Sequence, residues 1–370
     1  MTSDEPISGV ASELNLPRRQ LLQRMAAGAS LTAMVGSTAL AQDTPAPAAP
    51  APPVRPRPPL PDADATTDEF LRLYSSLSNW NRWGADDQKG AVNLITPAKR
   101  KRALQMVREG ESFSMARDAE LKPAADNNAP IIRKMKRVGK GQEPDKFKVG
   151  GTSDTFFIDY HGYAHTHMDT LCHFLYDKKM YNGYSEDNVT EEDGAIKNSI
   201  INFKHGIITR GVLMDIARYK GVDWLEPRTP IHPEDLDGWE KQANVKVQPG
   251  DVMIVRTGRW ARRDAKGPWP VSDGLAGLYM ACAEWMHRRD VAIIGGDGAQ
   301  DVFPSGVTGI SQPIHTLCIV AMGMPIFDNL DLELIGRECE KRKRWEFLVT
   351  ASPAAVPGAT GSVLNPIATF

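Results

Sequence analysis

At 370 residues the chain can hold one large domain or two small ones. Its apolar content of 41% and charged content of 24% are those of an ordinary soluble globular protein. Forty-four basic against forty-six acidic side chains leave a formal charge of −2, which offers nothing to nucleic acid and no polybasic membrane surface. The four cysteines, Cys172, Cys282, Cys318 and Cys339, are far apart and form no Cys-x-x-Cys pair, so buried free thiols are expected.

Near its start the chain carries Pro17-Arg18-Arg19-Gln20-Leu21-Leu22, then an uncharged, small-residue, mildly apolar run from Met25 to Gln42. Ala39-Leu40-Ala41 supplies a small-x-small cleavage site. Residues 1–41 thus resemble a twin-arginine-type signal peptide, cleaved after Ala41; a membrane anchor would carry more large apolar side chains. The expectation is a periplasmic protein exported by the twin-arginine machinery. Replacing Arg18 and Arg19 with lysine should leave unprocessed precursor in the cytoplasm, read by immunoblotting cell fractions. Normal processing of that variant would argue against this route.

Residues 42–63 read as a linker: half of the residues from Thr44 to Pro61 are proline, a composition that stays extended and buries no core. Residues 64–370 read as the folded body. Asp64 to Ser78 predicts the first helix, with Thr66 or Thr67 as its cap and Phe70, Leu71, Leu73, Tyr74 and Leu77 apolar. Asn81 to Pro97 is loop-like, with Asp87 suited to hold a turn and Trp83 to pack or to wall a pocket. Pro97 opens the next helix, expected to run from Lys99 to Gly110. The polar stretch 118–150, with its basic run Arg133, Lys134, Lys136, Arg137 and Lys140, predicts a solvated loop.

Four of the eight histidines fall in His161-Gly-Tyr-Ala-His165-Thr-His167-Met-Asp169-Thr-Leu-Cys-His173. Imidazole and carboxylate are ordinary ligands of first-row divalent metals. After the strand-favouring Phe156, Phe157, Ile158 and Tyr160, an extended backbone would put His161, Tyr163, His165, His167 and Asp169 on one face. His173 lies beyond that alternation, close enough to reach the same cavity.

Downstream, Tyr176 to Gly183 predicts a hairpin rim, Ile207 to Ala217 and Val252 to Gly258 buried strands, and Ile231 to Lys241 and Leu275 to Arg288 helices. Val291 to Asp297 is a short strand whose glycine-rich end carries Asp297; Asp297 or Asp301 is placed to line a pocket at the strand end. Gly295-Gly-Asp-Gly298 is too short for a dinucleotide fingerprint. His315 opens an apolar run, and Asp328 follows a Gly-x-Pro break thirteen residues on. The proline-containing tail beyond Ser352 predicts an extended arm over this chain or a neighbour. With no repeat or linker after residue 64, the fold class is mixed α/β in a single domain.

The histidine run resembles the signature of the metal-dependent cyclase and kynurenine formamidase family, His-x-Gly-Thr-His-x-Asp-x-x-x-His. Thr166, His167, Asp169 and His173 match it in place; Tyr163 stands at its first histidine and His165 at its glycine. The Trp83-Gly84-Ala-Asp86 to Asn93-Leu-Ile-Thr96-Pro97 segment is similar to the entry of longer family members. The resemblance spans roughly residues 80 to 335. It implies a β-rich core with peripheral helices of the swivelling β/β/α type, and a homo-oligomer.

It further implies a divalent cofactor, Zn²⁺ or Mn²⁺, on His167, Asp169, His315 and Asp328, with the missing nitrogen from His165 or else His161. Tyr163, Trp83 and Asp297 would line the pocket of a small-molecule substrate. The implied chemistry is metal-assisted hydrolysis of a non-peptide C–N bond, in N-formylkynurenine or an isatin-type lactam, with His173 as acid–base. No Gly-x-Ser-x-Gly elbow suggests a serine hydrolase. A periplasmic metal-binding protein without turnover, or a metal-dependent lyase or dehydratase, are the competing expectations.

Overall fold

The computed structural model describes Pro59 and residues 64–140 and 150–370. The expected signal peptide (1–41) and all but Pro59 of the expected linker (42–63) lie outside the described residues. In chain order the strands of the first half are β1 (Ser112–Ser114), β2 (Ile132–Arg137), β3 (Ser153–Phe157), β4 (His167–Asp169), β5 (Val189–Thr190), β6 (Gly194–Ala195) and β7 (Ile207–Asp215). Those of the second half are β8 (Pro230–Ile231), β9 (Val252–Arg256), β10 (Gly277–Leu278), β11 (Ile293–Gly296), β12 (Ile326–Asp328), β13 (Glu346–Ala351), β14 (Gly361–Val363) and β15 (Ile367–Thr369). The α-helices are α1 (Thr67–Ser76), α2 (Pro97–Leu104), α3 (Ile216–Tyr219), α4 (Pro233–Ala243), α5 (Arg259–Lys266), α6 (Cys282–Arg288), α7 (Pro313–His315) and α8 (Glu333–Arg342).

Nine strands form one mixed sheet in the order β1-β15-β13-β7-β9-β11-β12-β4-β14. Its middle, β7-β9-β11-β12, is parallel. These segments read as near-continuous apolar runs because both faces of a parallel sheet are covered, and β9 and β11 are buried along their whole length. Antiparallel strands flank the parallel block on both sides. Trp239, Trp260, Trp285, Phe327 and Phe347 fill the core, and the four cysteines are buried free thiols. The mixed α/β single domain is therefore as the sequence predicts.

Local signals set several element ends. Thr66 caps α1, accepting from the Glu69 N–H, while the Glu69 carboxylate accepts from the Thr66 N–H at 2.7 Å. Thr96 and Pro97 open α2, which stops at Leu104, short of the expected Gly110. Asp87 does hold its turn: it accepts from the Gly90 N–H at 2.8 Å, the Asn93 amide at 2.7 Å and the Tyr181 hydroxyl at 3.0 Å.

Three expectations are corrected. The helix predicted over 275–288 covers only Cys282–Arg288, because Gly277 and Leu278 pair as β10 with β8. The basic run is not a loop: Ile132–Arg137 pairs antiparallel with Ser153–Phe157. The tail is not a surface arm either. β14 pairs with β4, β15 lies between β1 and β13, and the terminal Phe370 is fully buried.

Candidate metal centre

β4 is three residues long and sits between β12 and β14, antiparallel to both. Side chains alternate along a strand, so His167 and Asp169 share one face while Met168 turns to the core with Phe327. The register sets Asp328 directly opposite His167. Directly opposite side chains lie on the same face, which brings the second-half aspartate to the histidine motif. His167, Asp169 and Asp328 offer ligand atoms within 4.8 Å of one another, as do His161, Asp169 and His173.

The approach to β4 is not the expected long strand. Residues 161–165 form a series of bends, so the alternation argument stops at His167. Distant residues hold this loop by its carbonyls. The Asn329 amide donates to the carbonyls of Gly162 (2.7 Å) and His165 (3.1 Å), and the buried Arg259 guanidinium donates to the Tyr163 carbonyl and to the Asn329 side-chain oxygen (2.7 Å). The bends turn His161 into the cluster and His165 away from it. The structure thus does not bring His165 to the expected ligand set: its Nε2 lies 3.1 Å from the Ala129 carbonyl.

His161 is the one brought to the cluster, with Nε2 3.0 Å from the Thr360 hydroxyl and Nδ1 2.9 Å from Asp169 Oδ1. Gly361, paired with Asp169, makes room for it. A Cβ there would lie 2.9 Å from His161 Cε1 and 2.4 Å from the Met168 carbonyl oxygen.

Asp169 is the hub. Besides His161, the nearest nitrogens of His167, His173 and His315 lie 3.3, 3.7 and 3.7 Å from its oxygens. Two imidazoles are oriented from behind. His167 Nδ1 meets the His165 carbonyl at 2.8 Å, and His315 Nδ1 meets Asp301 Oδ2 at 2.5 Å, so each Nε2 faces the carboxylates. His315 Nε2 is 3.4 Å from Asp328, whose other oxygen accepts from the Gln300 amide at 3.1 Å. A π-helical turn, Thr316–Ala321, begins immediately after His315.

Burial opposes charge on His167, but Asp169 overrides it and pushes the ring up to about 9. His315 is likewise raised well above the ordinary histidine value, against burial, by Asp301 and Asp328. The Asp169 carboxyl, despite burial, is held well below the usual range by His167, His161 and His173. His173 goes the other way. Burial lowers it to about 4, with the neighbouring imidazoles reinforcing the fall and Asp169 opposing it. Its ring stacks on His161 at 3.8 Å, and its side chain is 25% exposed, at the open side of the cluster. Tyr160 and Phe174 add aromatic surface beside His161, His173 and His315.

Of the expected pocket residues, Tyr163 is half-buried beside the cluster; burial and the nearby Asp328 and Asp301 raise its phenol. Trp83 is half-buried against the core, with the Arg82 guanidinium 4.8 Å from its ring centre. Asp297 sits just past the end of β11, beside a small cavity lined also by Thr257 and Gln300. It is fully buried and accepts from the Thr257 hydroxyl (2.8 Å) and the N–H groups of Thr257, Gly258 (2.7 Å) and Arg259 (3.2 Å), tying down the start of α5. Asp301 is the acid that reaches the site. Asn329, Arg259 and Thr360 carry no motif that would single them out.

The cyclase family model matches residues 103–300. The solved structure of a novel cyclase is 30% identical, with a TM-score of 0.72 over 80% of this chain and 99% of its own. Isatin hydrolase A from Ralstonia solanacearum, 17% identical, aligns with a TM-score of 0.47 over 70% of this chain and 91% of its own. An isatin hydrolase bound to the product analogue thioisatinate, 14% identical, gives 0.47 over 70% and 92%. No curated protein sequence is matched. With the matching model spanning more than half of the chain, and a solved cyclase at 30% identity over its whole length, this protein belongs to the cyclase family.

Proposed function

We propose that the cluster is a divalent-metal centre and that the protein hydrolyses a non-peptide C–N bond, that of an aryl formamide such as N-formylkynurenine or of a lactam. One observation carries this reading. His161 Nδ1 and Asp169 Oδ1 are buried 2.9 Å apart, yet neither makes a hydrogen bond to the other or to anything else. Buried polar atoms are almost always satisfied, and a buried imidazole nitrogen facing a carboxylate oxygen offers a cation two ligand atoms. The donor set of imidazole nitrogens and carboxylate oxygens fits Zn²⁺ or Mn²⁺.

His161, His167, Asp169, His315 and Asp328 would hold the ion. A divalent cation bound there supplies Lewis acidity, lowering the pKa of water and polarising an amide carbonyl. The chain's own residues do the rest. The His165 carbonyl and Asp301 keep the protons of His167 and His315 on Nδ1, so that each Nε2 presents its lone pair to the centre. His173, neutral at physiological pH, is free to take a proton and return it to the leaving nitrogen. Phe174 and Tyr160 supply flat apolar surface at the mouth, which favours an aromatic substrate.

The test is a panel of aryl formamides, lactams and lactones, assayed with chelated protein before and after adding Mn²⁺ or Zn²⁺. Turnover of an amide only after metal addition is expected. A stoichiometrically metallated protein that turns over none of the panel would leave metal binding without catalysis.

A further inference from the structure

A second cavity, of about 260 Å³, shares no residue with the metal cluster. It opens between the Gly90–Leu94 turn, the start of α2, the Ile200–Phe203 turn and the first residue of β7. Its inner wall is apolar, made by the buried Val92, Ile95, Phe203 and Ile207. Lys89, Arg100 and His205 stand around it, and among the described residues no acid lines it. None of these three side chains has a hydrogen-bond or ion-pair partner among the described residues. That sets Arg100 apart in this chain. Arg117, Arg210, Arg256 and Arg263 are likewise half-buried or buried, and each reaches a carboxylate. On α2 itself Lys99 is paired with Asp251. Asp87, beside the Gly90–Leu94 turn, is already held by the Gly90 N–H, the Asn93 amide and the Tyr181 hydroxyl. A half-buried guanidinium has given up part of its hydration, and here it has gained no acceptor in return.

We infer that this cavity is a second ligand site, and that it takes a small organic carboxylate with a flat apolar body, of the benzoate type. The Arg100 fork suits a carboxylate, and the Lys89 ammonium adds a second positive charge beside it. The hydrocarbon part would cover Val92, Ile95 and the Phe203 ring, a concave apolar wall with a few polar groups at its edge. Inorganic phosphate would leave that wall bare, and a neutral aryl amide would leave Arg100 unpaired. The site lies well away from the metal cluster. Strand registers across β7, β9, β11 and β12 align Asp328 with Met214, whereas Ile207 opens β7. The strand rise from Ile207 to Met214, with three strand spacings, separates the two by on the order of 25 Å. A ligand here is therefore distinct from a substrate at the metal centre.

Isothermal titration of the full chain with benzoate tests this, with benzamide and inorganic phosphate as controls. Benzoate should bind saturably, more tightly than either control, and more weakly as NaCl is raised. Arg100→Gln should weaken it roughly 10- to 100-fold, the scale for a lost charge-assisted hydrogen bond, with unchanged circular dichroism. Lys89→Gln, at an exposed position, should weaken it by a smaller factor. Asp169→Asn should bind benzoate as wild type does, so the hydrolase reading can fail while this one stands. No saturable binding to wild type, equal binding of benzamide or phosphate, or undiminished binding to Arg100→Gln would overturn the proposal. So would loss of benzoate binding in Asp169→Asn, which would place the ligand at the metal centre.

Discussion

Asp169→Asn is expected to purify folded, without metal, and with turnover reduced on the order of 10³- to 10⁴-fold. That factor corresponds to several kcal/mol of lost Lewis-acid stabilisation at tenfold per 1.36 kcal/mol. The substitution keeps the shape of the side chain but removes the charge on which four imidazoles converge. Elemental analysis of the purified variant, beside wild type, is the check. Stoichiometric metal in Asp169→Asn would mean that the carboxylate is not an essential ligand.

The same variant has a signature in the metal-free protein. His167 is raised to about 9 in the fold, chiefly by Asp169 acting against burial. A raised folded-state pKa adds stability that is complete below the unfolded value near 6.5 and is lost as pH rises through about 9. Chelated wild type should therefore lose stability across that window, on the order of 3 kcal/mol. Chelated Asp169→Asn should lose less stability there, because the largest charge that raises His167 is gone while Asp301 and Asp328 still raise His315. Thermal melts between pH 6 and 9.5 distinguish the two.

The geometry of β4 is legible in the sequence because it is local. Thr166, His167, Asp169 and His173 stand at motif spacing, and a strand three residues long suffices to aim the middle pair. The choice between His161 and His165 was not legible. It depends on Arg259 and Asn329, which lie 96 and 164 residues away from their partners Tyr163 and His165 in sequence and bend the loop by its carbonyls. The role of Asp297 was hidden for a similar reason. An aspartate at a strand end can face a cavity or the start of a neighbouring helix, and only the packing of α5 decides. The pairing of the tail is not legible in the sequence, because prolines mark an irregular backbone locally. They give no sign that Gly361–Val363 and Ile367–Thr369 would find unfilled places in the sheet. That pairing matters for the site, since Gly361 lies against His161 and Thr360 bonds it.

His173→Ala separates catalysis from metal binding. His173 matches the last histidine of the motif, but its side chain sits at the open side of the cluster, stacked on His161 rather than oriented from behind like His167 and His315. The variant should keep stoichiometric metal and its fold while turnover falls roughly 10²- to 10⁴-fold, the usual scale for losing a general acid–base. The structure also moves the expected pH signature. A solvated imidazole would titrate near neutrality, but burial and the surrounding imidazoles lower His173 to about 4. Activity carried by neutral His173 should therefore hold from neutrality down to the region of pH 4 and fall below it. His173→Ala should lose that acid limb together with the rate. His173→Gln, which restores bulk beside His161 without a titrating ring, should keep metal yet stay as slow as the alanine variant. Loss of metal in both variants would make His173 a ligand, completing the set with His161 and Asp169. Unchanged turnover in both would leave the proton to another group, with Tyr163 the nearest candidate beside Asp328 and Asp301.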